Sequence, residues 1–280
     1  MSSKGFIILA QNSEGIDYIR QAYALALSIK LSQPVYNSVS LITDSKVDEK
    51  YADVFDHILD IPFTDEATSS SWKVENRWKF IYASPYDETI VLDSDMLFFK
   101  DITTVWDKLA NHDVFFANQV VDFKGRIITD ITSRKTFISN NLPNVYFALH
   151  YFKKTAPAFE FYKALEFVVH NWERCYTEVA PVDYQNWLSM DVSASIAVKI
   201  LSIEEQVTNK ALKFNFTHMK PTLQGWQPSP SSWVDFADTL YTPNGKLYIN
   251  QFHQTGIVHY VEDEFLSPNI LSILENQNDR

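Results

Sequence analysis

The sequence predicts an α/β fold: a Rossmann-like, mostly parallel sheet flanked by helices, held in a single domain over residues 1–280. Three observations lead there. Short apolar runs alternate with segments of helical spacing through the first hundred or so residues, the pattern of a helix-covered parallel sheet with right-handed crossovers. Hydrophobic residues make up 46% of the 280, enough for a sizeable core. Glycine is scarce, at 6 residues, which argues against a turn-dense β sandwich. Neither GxGxxG nor GxxxxGK(S/T) occurs, so the dinucleotide fingerprint and the P-loop are both absent.

Taken in order, Phe6–Ala10 reads as a buried strand and Asp17–Lys30 as a helix, with Ile19, Ala22, Tyr23, Ala26 and Ile29 at helical spacing. Val39–Asp44 is a strand ending in an acid, and His57–Ile61 a further short strand. The polar stretch Thr64–Ser71 reads as a loop, Trp72–Ala83 as an aromatic-rich helix and Ile90–Leu92 as the next strand. The second half is less regular. Strands are expected at Asp113–Ala117 and Tyr146–Phe152, and helices at Ala156–Trp172 and Val192–Leu201. Pro221–Pro243, rich in Pro, Trp and Ser, reads as a long, partly ordered loop of the kind that serves as a lid or binding segment. Gly256–Val261 is a late strand carrying a histidine.

Charge and cysteine content narrow the classes of function. A formal net charge of −11 repels phosphate backbones and anionic lipid at long range, so nucleic acid is a disfavoured partner. A lone cysteine, Cys175, excludes an internal disulfide and a cysteine-based zinc site. The first apolar run, Phe6–Ala10, is too short for a signal-peptide core or a membrane span. A soluble, cytoplasmic protein is expected, with the sequon Asn215-Phe216-Thr217 unmodified.

The chemistry concentrates in Ile90-Val91-Leu92-Asp93-Ser94-Asp95-Met96-Leu97-Phe98-Phe99, where an apolar run meets two carboxylates one residue apart. In extended backbone, residues i and i+2 point to the same side, so Asp93 and Asp95 could face one cation together. The alternative is an ordinary turn, for which Asp and Ser are common. Mg²⁺ and Mn²⁺ favour oxygen-rich octahedral sites completed by water and phosphates, and Mn²⁺ tolerates imidazole the better of the two. Seven histidines are available, and His259 stands on the late apolar strand, where a core residue is the competing reading. Asn12, Asp44 and Asp93 each come just after a predicted strand, and ligands of such sheets bind beyond the carboxyl ends of strands.

Val91-Leu92-Asp93-Ser94-Asp95-Met96-Leu97 resembles the hhhDxDhhh segment of nucleotide-sugar-dependent glycosyltransferases with the GT-A-type fold, most closely glycosyltransferase family 8, which includes glycogenin and bacterial galactosyltransferases. The opening Ala10-Gln11-Asn12 strand end, Arg77 upstream in Asn76-Arg77-Trp78-Lys79-Phe80, and Asp101-Ile102 followed by Trp106 agree with it. So does Gly256-Ile257-Val258-His259-Tyr260, similar to the family's late h-V-H-F/Y strand. The likeness is good from Phe6 to Trp106, fair at 256–261 and weak between. Two departures stand out. The family's Lys-Pro-Trp after that histidine is missing, since acidic Glu262-Asp263-Glu264 stands there instead; Met219-Lys220-Pro221 is the nearest substitute. Asn144–Leu149 stands where the family has an Asn-x-Gly strand, with Ala148 at the small-residue position.

The resemblance implies transfer of a sugar from a nucleoside diphosphate donor, most often UDP, to a hydroxyl of a carbohydrate or other acceptor, with Mn²⁺ or Mg²⁺ as cofactor. Asp93, Asp95 and His259 would be the metal ligands. Arg77 would add fixed positive charge where the leaving diphosphate develops its own, unless it is a surface cation. Asn12 and Asp44 fit nucleoside contacts, Asp44 being equally a possible cap, and Ser94 and Lys220 would sit at the diphosphate. Asp191 resembles an acid that lines the sugar pocket; an N-cap role is the alternative reading, and Asp183 the alternative residue. Trp187, Trp226 and Trp233 are candidates for stacking on sugar faces. Residues 1–106 would form the nucleotide-sugar half and 107–280 the acceptor half with the late metal-ligand strand. The competing functions are a sugar-nucleotide nucleotidyltransferase, disfavoured because Gln11–Gly15 lacks a glycine-rich basic loop, a non-catalytic sugar-nucleotide-binding protein, and glucosylation of DNA bases, disfavoured by the charge.

Overall fold

A computed structural model describes residues 3–67, 73–129, 134–209, 212 and 214–279. In chain order β1 (Lys4–Leu9) leads to α1 (Tyr18–Ser32), β2 (Val39–Ile42), the one-turn α2 (Glu49–Ala52) and β3 (His57–Leu59). A 3-10 turn at Glu75–Lys79 runs into α3 (Phe80–Ala83), then β4 (Glu88–Leu92), β5 (Met96–Phe98), α4 (Thr103–Leu109) and β6 (Val114–Ala117). Next come α5 (Lys135–Ser139), β7 (Tyr146–Lys153), α6 (Ala156–His170), α7 (Trp172–Val179), α8 (Met190–Leu201) and α9 (Glu204–Val207). The last stretch holds β8 (Phe216–His218), β9 (Thr239–Tyr241), β10 (Leu247–Ile249), β11 (Phe252–Gln254), β12 (Ile257–His259) and α10 (Pro268–Asn278).

Six strands form the main sheet in the order β3-β2-β1-β4-β7-β6. Its first four run parallel, as expected; β7 runs antiparallel to β4, and β6, antiparallel to β7, points the same way as the first four. Strand direction is not legible in Tyr146–Lys153, because a strand buried on both faces carries the same apolar run whichever way it points. The period-2 alternation of β1 splits its side chains between two cores. Phe6 and Ile8 join Leu41, Ile90 and Leu92 on one face, while Ile7 and Leu9 join Ile42 and Val91 on the other. On the first face α1 lies between β5 and α10, so residues Ile19–Ile29 are buried almost without exception. Each leucine or isoleucine so enclosed contributes about 1.5–3 kcal/mol relative to exposure. On the second face α6 and α8 pack together.

Most expected helices form with shifted ends. Asp17 is the cap of α1, accepting a 3.0 Å hydrogen bond from the Arg20 N–H, rather than its first residue. The expected loop at Thr64–Ser71 and helix at Trp72–Ala83 meet at residues 68–72, which lie outside the described residues; the helical segment beyond them begins as a 3-10 turn. That turn carries Asn76 and Lys79 inward, where Asn76 bonds to Gln11 and Asp65, and Lys79 to Asn76 and the Thr64 carbonyl. The expected Ala156–Trp172 helix stops at Asn171, whose side chain donates to the Phe167 carbonyl at 2.8 Å and so competes with the helix ladder. Segment 221–243 is more ordered than expected. It holds a 3-10 turn, β9, and a fully buried Trp233 that donates to the Tyr260 carbonyl; this indole packs in the core and is not a sugar platform. Residues of the sequon enter β8, where Phe216 and Thr217 are buried. Among the described residues, no helix is long and apolar enough to cross a membrane.

One buried histidine marks the second core. His150 on β7 is wholly enclosed, with Nδ1 2.7 Å from the Phe147 carbonyl and Nε2 2.8 Å from the Tyr162 hydroxyl. Burial drives its pKa down to about 3, with the Phe147 carbonyl opposing and Arg77 adding slightly. An unfolded His150 takes up a proton below about 6.5 while the folded one does not, so stability is lost as pH falls from there toward 3. Replacing His150 by Gln is expected to lower stability at neutral pH yet reduce the loss between pH 7 and pH 5 by about 1–2 kcal/mol. Urea denaturation at the two pH values reads the difference, and an equal loss in both proteins would refute the assignment.

Candidate active site

The main sheet hands the chain to a second sheet at the two carboxylates. Leu92, the last residue of β4, pairs with both β1 and β7. One residue on, the Asp93 N–H donates to the Ala148 carbonyl at 3.1 Å. From Met96 the chain belongs to the three-stranded sheet β5-β12-β8, in which Met96 lies opposite His259 in antiparallel register. The Tyr260 N–H then donates to the Asp95 carbonyl at 3.0 Å, and His259 lies beside His218 of the parallel β8.

Asp93-Ser94-Asp95 is therefore a bend between two sheets and not the extended end of one strand. The bend gathers the carboxylates all the same. Asp93, Asp95 and His259 each offer one ligand atom, and these atoms lie within 4.8 Å of one another. His259 Nε2 is 3.0 Å from Asp95 Oδ2, and Arg77 Nη1 is 2.6 Å from Asp93 Oδ1. Among the described residues, His259 Nδ1 is buried without a hydrogen-bond partner. Ser94 is buried, and its hydroxyl donates to Gln21 of α1 at 3.2 Å, fastening the bend to the helix beneath. Ser28 of the same helix accepts the Phe98 N–H at 3.0 Å, so α1 holds both sides of the bend.

Electrostatics here pull against one another. Burial pushes the Asp93 carboxyl upward; Arg77 opposes it and the neighbouring Asp95 adds to it, leaving a net rise. For His259, burial acts to lower the pKa, but the adjacent Asp95 carboxylate and its hydrogen bond reverse this. His218, whose ring stacks on His259 at 4.5 Å between centroids, is held well below the usual histidine range by burial, with His259, Lys220 and Arg134 adding to the effect. A cluster rich in carboxylate and imidazole, in which groups compete for one proton, is the donor set a divalent cation satisfies.

A cavity of about 280 Å³ opens on this cluster, lined among others by Arg77, Asp93, Asp191, His218, Lys220 and His259. Lys220, just beyond β8, and Asp191, in the first turn of α8, thus share a wall with the carboxylate cluster. Asp191 is not the cap of its helix, since Ser189 fills that place. Its Oδ1 accepts the Phe147 N–H at 2.8 Å and its Oδ2 meets Arg134 at 2.5 Å. Asp183 is elsewhere, bonding Ser139 and Thr136 of the α5 segment. At the ends of β1 and β2, Asn12 and Asp44 join a separate network. Asn12 Oδ1 accepts the Ile19 N–H at 3.1 Å, and Asp44 Oδ2 accepts from Gln11 at 3.0 Å and Lys73 at 3.3 Å. Burial alone would raise the Asp44 pKa, but hydrogen bonds from Ser45, Gln11 and Lys73 hold it below its usual value.

Two residues, Arg134 behind Asp191 and His218 on the wall itself, carry no motif that sequence reasoning could single out. Arg134 is one; only the fold stacks its guanidinium over Tyr146, 4.2 Å from the ring centroid, and against Asp191. His218 is the other. Its place beside Lys220 is a signal of sorts, but its partner His259 is distant in sequence. Of the tryptophans, Trp187 is 61% exposed and lines the cavity, whereas Trp226 is partly buried against Phe123 and Phe236.

A parallel half-sheet continued by antiparallel strands, with the acidic bend at its carboxyl edge, is the fold of the GT-A-type glycosyltransferases, and solved structures of that class match this chain. The chain is similar to the galactosyltransferase LgtC in complex with donor and acceptor sugar analogues, with a TM-score of 0.54 and 11% identity over 98% of this chain and 95% of that one. It is similar also to mouse xyloside xylosyltransferase 1, with a TM-score of 0.53 and 9% identity over 91% of this chain and 97% of that one. The glycosyltransferase GlyE of Streptococcus pneumoniae TIGR4 matches with a TM-score of 0.54 and 10% identity; the match covers 99% of this chain and 60% of GlyE. At such identities the likeness is one of fold. No protein family matches the chain, and no curated protein does.

The position of β12 can be tested apart from any activity. A Cβ on Gly256 would lie 2.0 Å from the Asn215 carbonyl oxygen, which accepts the Ile257 N–H at 3.0 Å. Gly256→Ala is expected to push β12 from β8 and cost about 1–3 kcal/mol, the usual scale of overpacking. Chemical denaturation measures it, and an unchanged midpoint would show that this close approach is not needed.

Proposed function

We propose that this protein is a metal-dependent glycosyltransferase that moves a sugar from a nucleoside diphosphate donor, a UDP-hexose by preference, to an acceptor hydroxyl. The observation that carries this is the convergence of Asp93, Asp95 and His259, whose ligand atoms lie within 4.8 Å of one another, at the carboxyl edge of the sheet. Asp93, Asp95 and His259 would hold Mn²⁺ or Mg²⁺, which when bound supplies Lewis acidity and charge neutralisation for the leaving diphosphate.

This chain's own residues do the rest. Arg77, 2.6 Å from Asp93, favours the ionised form of that carboxylate and presents fixed positive charge on the same wall. Lys220 lies on that wall too and is the cation proposed to meet the diphosphate in place of the absent Lys-Pro-Trp. With both oxygens already engaged, Asp191 is not a free base; it is proposed to orient the transferred sugar through its remaining acceptor capacity, with Arg134 holding it. Asn12 and Asp44 are proposed to face the nucleoside, the Asn12 amide nitrogen being the part left for a ligand because its oxygen accepts from α1. Residues 1–106 would then form the donor half and residues 107–280 the acceptor half, which returns Lys220 and His259 to the donor site. The proposed setting is the cytoplasm.

Nucleotide release from a panel of UDP-sugars, with and without Mn²⁺, tests the reading. Asp95→Ala is expected to lower the metal-dependent rate by more than the 10- to 100-fold, roughly, that loss of an outer-shell partner costs. Lys220→Ala is expected to lower kcat/KM for the donor by about 10-fold or more while leaving Mn²⁺ affinity unchanged. An Asp95→Ala protein with the wild-type metal-dependent rate would overturn the site.

A further inference from the structure

The chain just past His259 leaves extended backbone. Val261 has φ 69°, and the Glu262 N–H donates back to the Tyr260 carbonyl at 2.8 Å. Residues 260–262 thus form a three-residue turn of the rare kind whose central φ is positive. Among the described residues, Val261 is the one β-branched side chain at a positive φ. A left-handed backbone crowds a branched Cβ, so such a conformer persists only where its surroundings over-determine it.

The surroundings do so from three sides. Toward the bend, the Tyr260 N–H donates to the Asp95 carbonyl at 3.0 Å. From behind, the buried Trp233 indole donates to the Tyr260 carbonyl, and the Phe265 ring packs on Tyr260 at 4.7 Å between centroids. Beyond the turn, Asp263 opens a 3-10 turn at Asp263–Phe265, and its Oδ1 accepts from Gln21 Nε2 at 2.9 Å. Gln21 is buried on α1, and its other amide atom, Oε1, accepts from the Ser94 hydroxyl at 3.2 Å. One glutamine therefore ties the chain after the turn to the bend between Asp93 and Asp95. Side-chain and backbone links through Ser94, Gln21, Asp263, Val261, Tyr260 and Asp95 close a ring at the base of the carboxylate–imidazole group.

Opening the ring at Asp263 would let Val261 relax to a negative φ. Relaxation breaks the Tyr260–Glu262 hydrogen bond and turns the Tyr260 carbonyl away from Trp233, and His259, one residue before, moves with it. Resting on the metal-dependent transfer proposed above, we propose that Gln21 and Asp263 are positioning residues: they clasp Val261 in its strained turn and so hold His259 beside Asp95 for the cation. Neither belongs to the group of ligand atoms itself. The acidic Glu262-Asp263-Glu264 that stands in place of Lys-Pro-Trp then has a use of its own, through Asp263.

Mn²⁺ affinity tests this without a sugar donor, measured on metal-stripped protein by the electron paramagnetic resonance signal of free Mn²⁺. Asp263→Ala is expected to weaken binding by about tenfold or more, the scale on which partners behind a metal ligand act. Asp263→Asn keeps an acceptor oxygen for Gln21 and is expected to bind as wild type does. Val261→Gly removes the strain, so the double variant Val261→Gly/Asp263→Ala should recover most of the lost affinity. Asp263 is half-buried, outside the two cores, and urea denaturation confirms that each variant is folded. Wild-type affinity in Asp263→Ala, equal losses in Asp263→Asn and Asp263→Ala, or no recovery in the double variant overturns the clasp alone; metal-dependent nucleotide release then still upholds the transfer. Recovery in the double variant, in a protein without nucleotide release, upholds the clasp and overturns the transfer. A wild-type protein that binds no Mn²⁺ overturns both.

Discussion

Antiparallel pairing of β5 with β12 sets His259 opposite Met96 and lets the Tyr260 N–H close on the Asp95 carbonyl. Everything at the site hangs from this register. A slip of one residue would turn His259 to the other side of the strand and carry its imidazole away from both carboxylates. Two features pin it. On one side α1 grips the bend through Gln21–Ser94 and Ser28–Phe98. On the other, the bare Gly256 lets β12 come close to the Asn215 backbone and so pair with β8. The site is a joint between two sheets, each with its own hydrogen-bond ladder.

That joint also explains the unusual distribution of charge. Asp93 and Asp95 stand where a parallel sheet ends and its backbone N–H and C=O groups must find new partners; Ala148 and Tyr260 supply them. Two carboxylates held at such a place are costly unless cations attend them. Arg77 comes from the 3-10 turn, and Lys220 from the end of β8. The two cations thus arrive from opposite halves of the sequence, Lys220 from just beyond the strand that pairs in parallel with β12.

Local pattern reaches furthest where side-chain periodicity and burial coincide. The strands of the parallel half and the long helices are legible because an apolar face must meet a core, and the acidic pair is legible because carboxylates rarely interrupt such a run. Errors fall where tertiary contacts override local pattern. Trp233 reads as a sugar platform, but an indole in a Pro-rich segment looks the same whether it faces solvent or, as here, the Tyr260 carbonyl. Arg134 leaves no trace in the sequence, since its partners Tyr146 and Asp191 come from β7 and α8; nor does the cleft beside Glu75, whose other walls come from α6, α7 and the segment before α8.

The sequence by itself determines the α/β class, the carboxylates at a strand end, and the absence of phosphate-binding glycine loops. These rest on patterns a few residues long, which local geometry converts into faces and edges. Only the tertiary structure decides that the carboxylates sit in a bend between two sheets and that His259 and Arg77 both reach them. It also decides that Lys220 and Asp191 share their cavity and that Trp187 borders two cavities at once. The reason is physical: distance between side chains far apart in sequence is set by strand register and helix packing, and neither is encoded in any short stretch of residues.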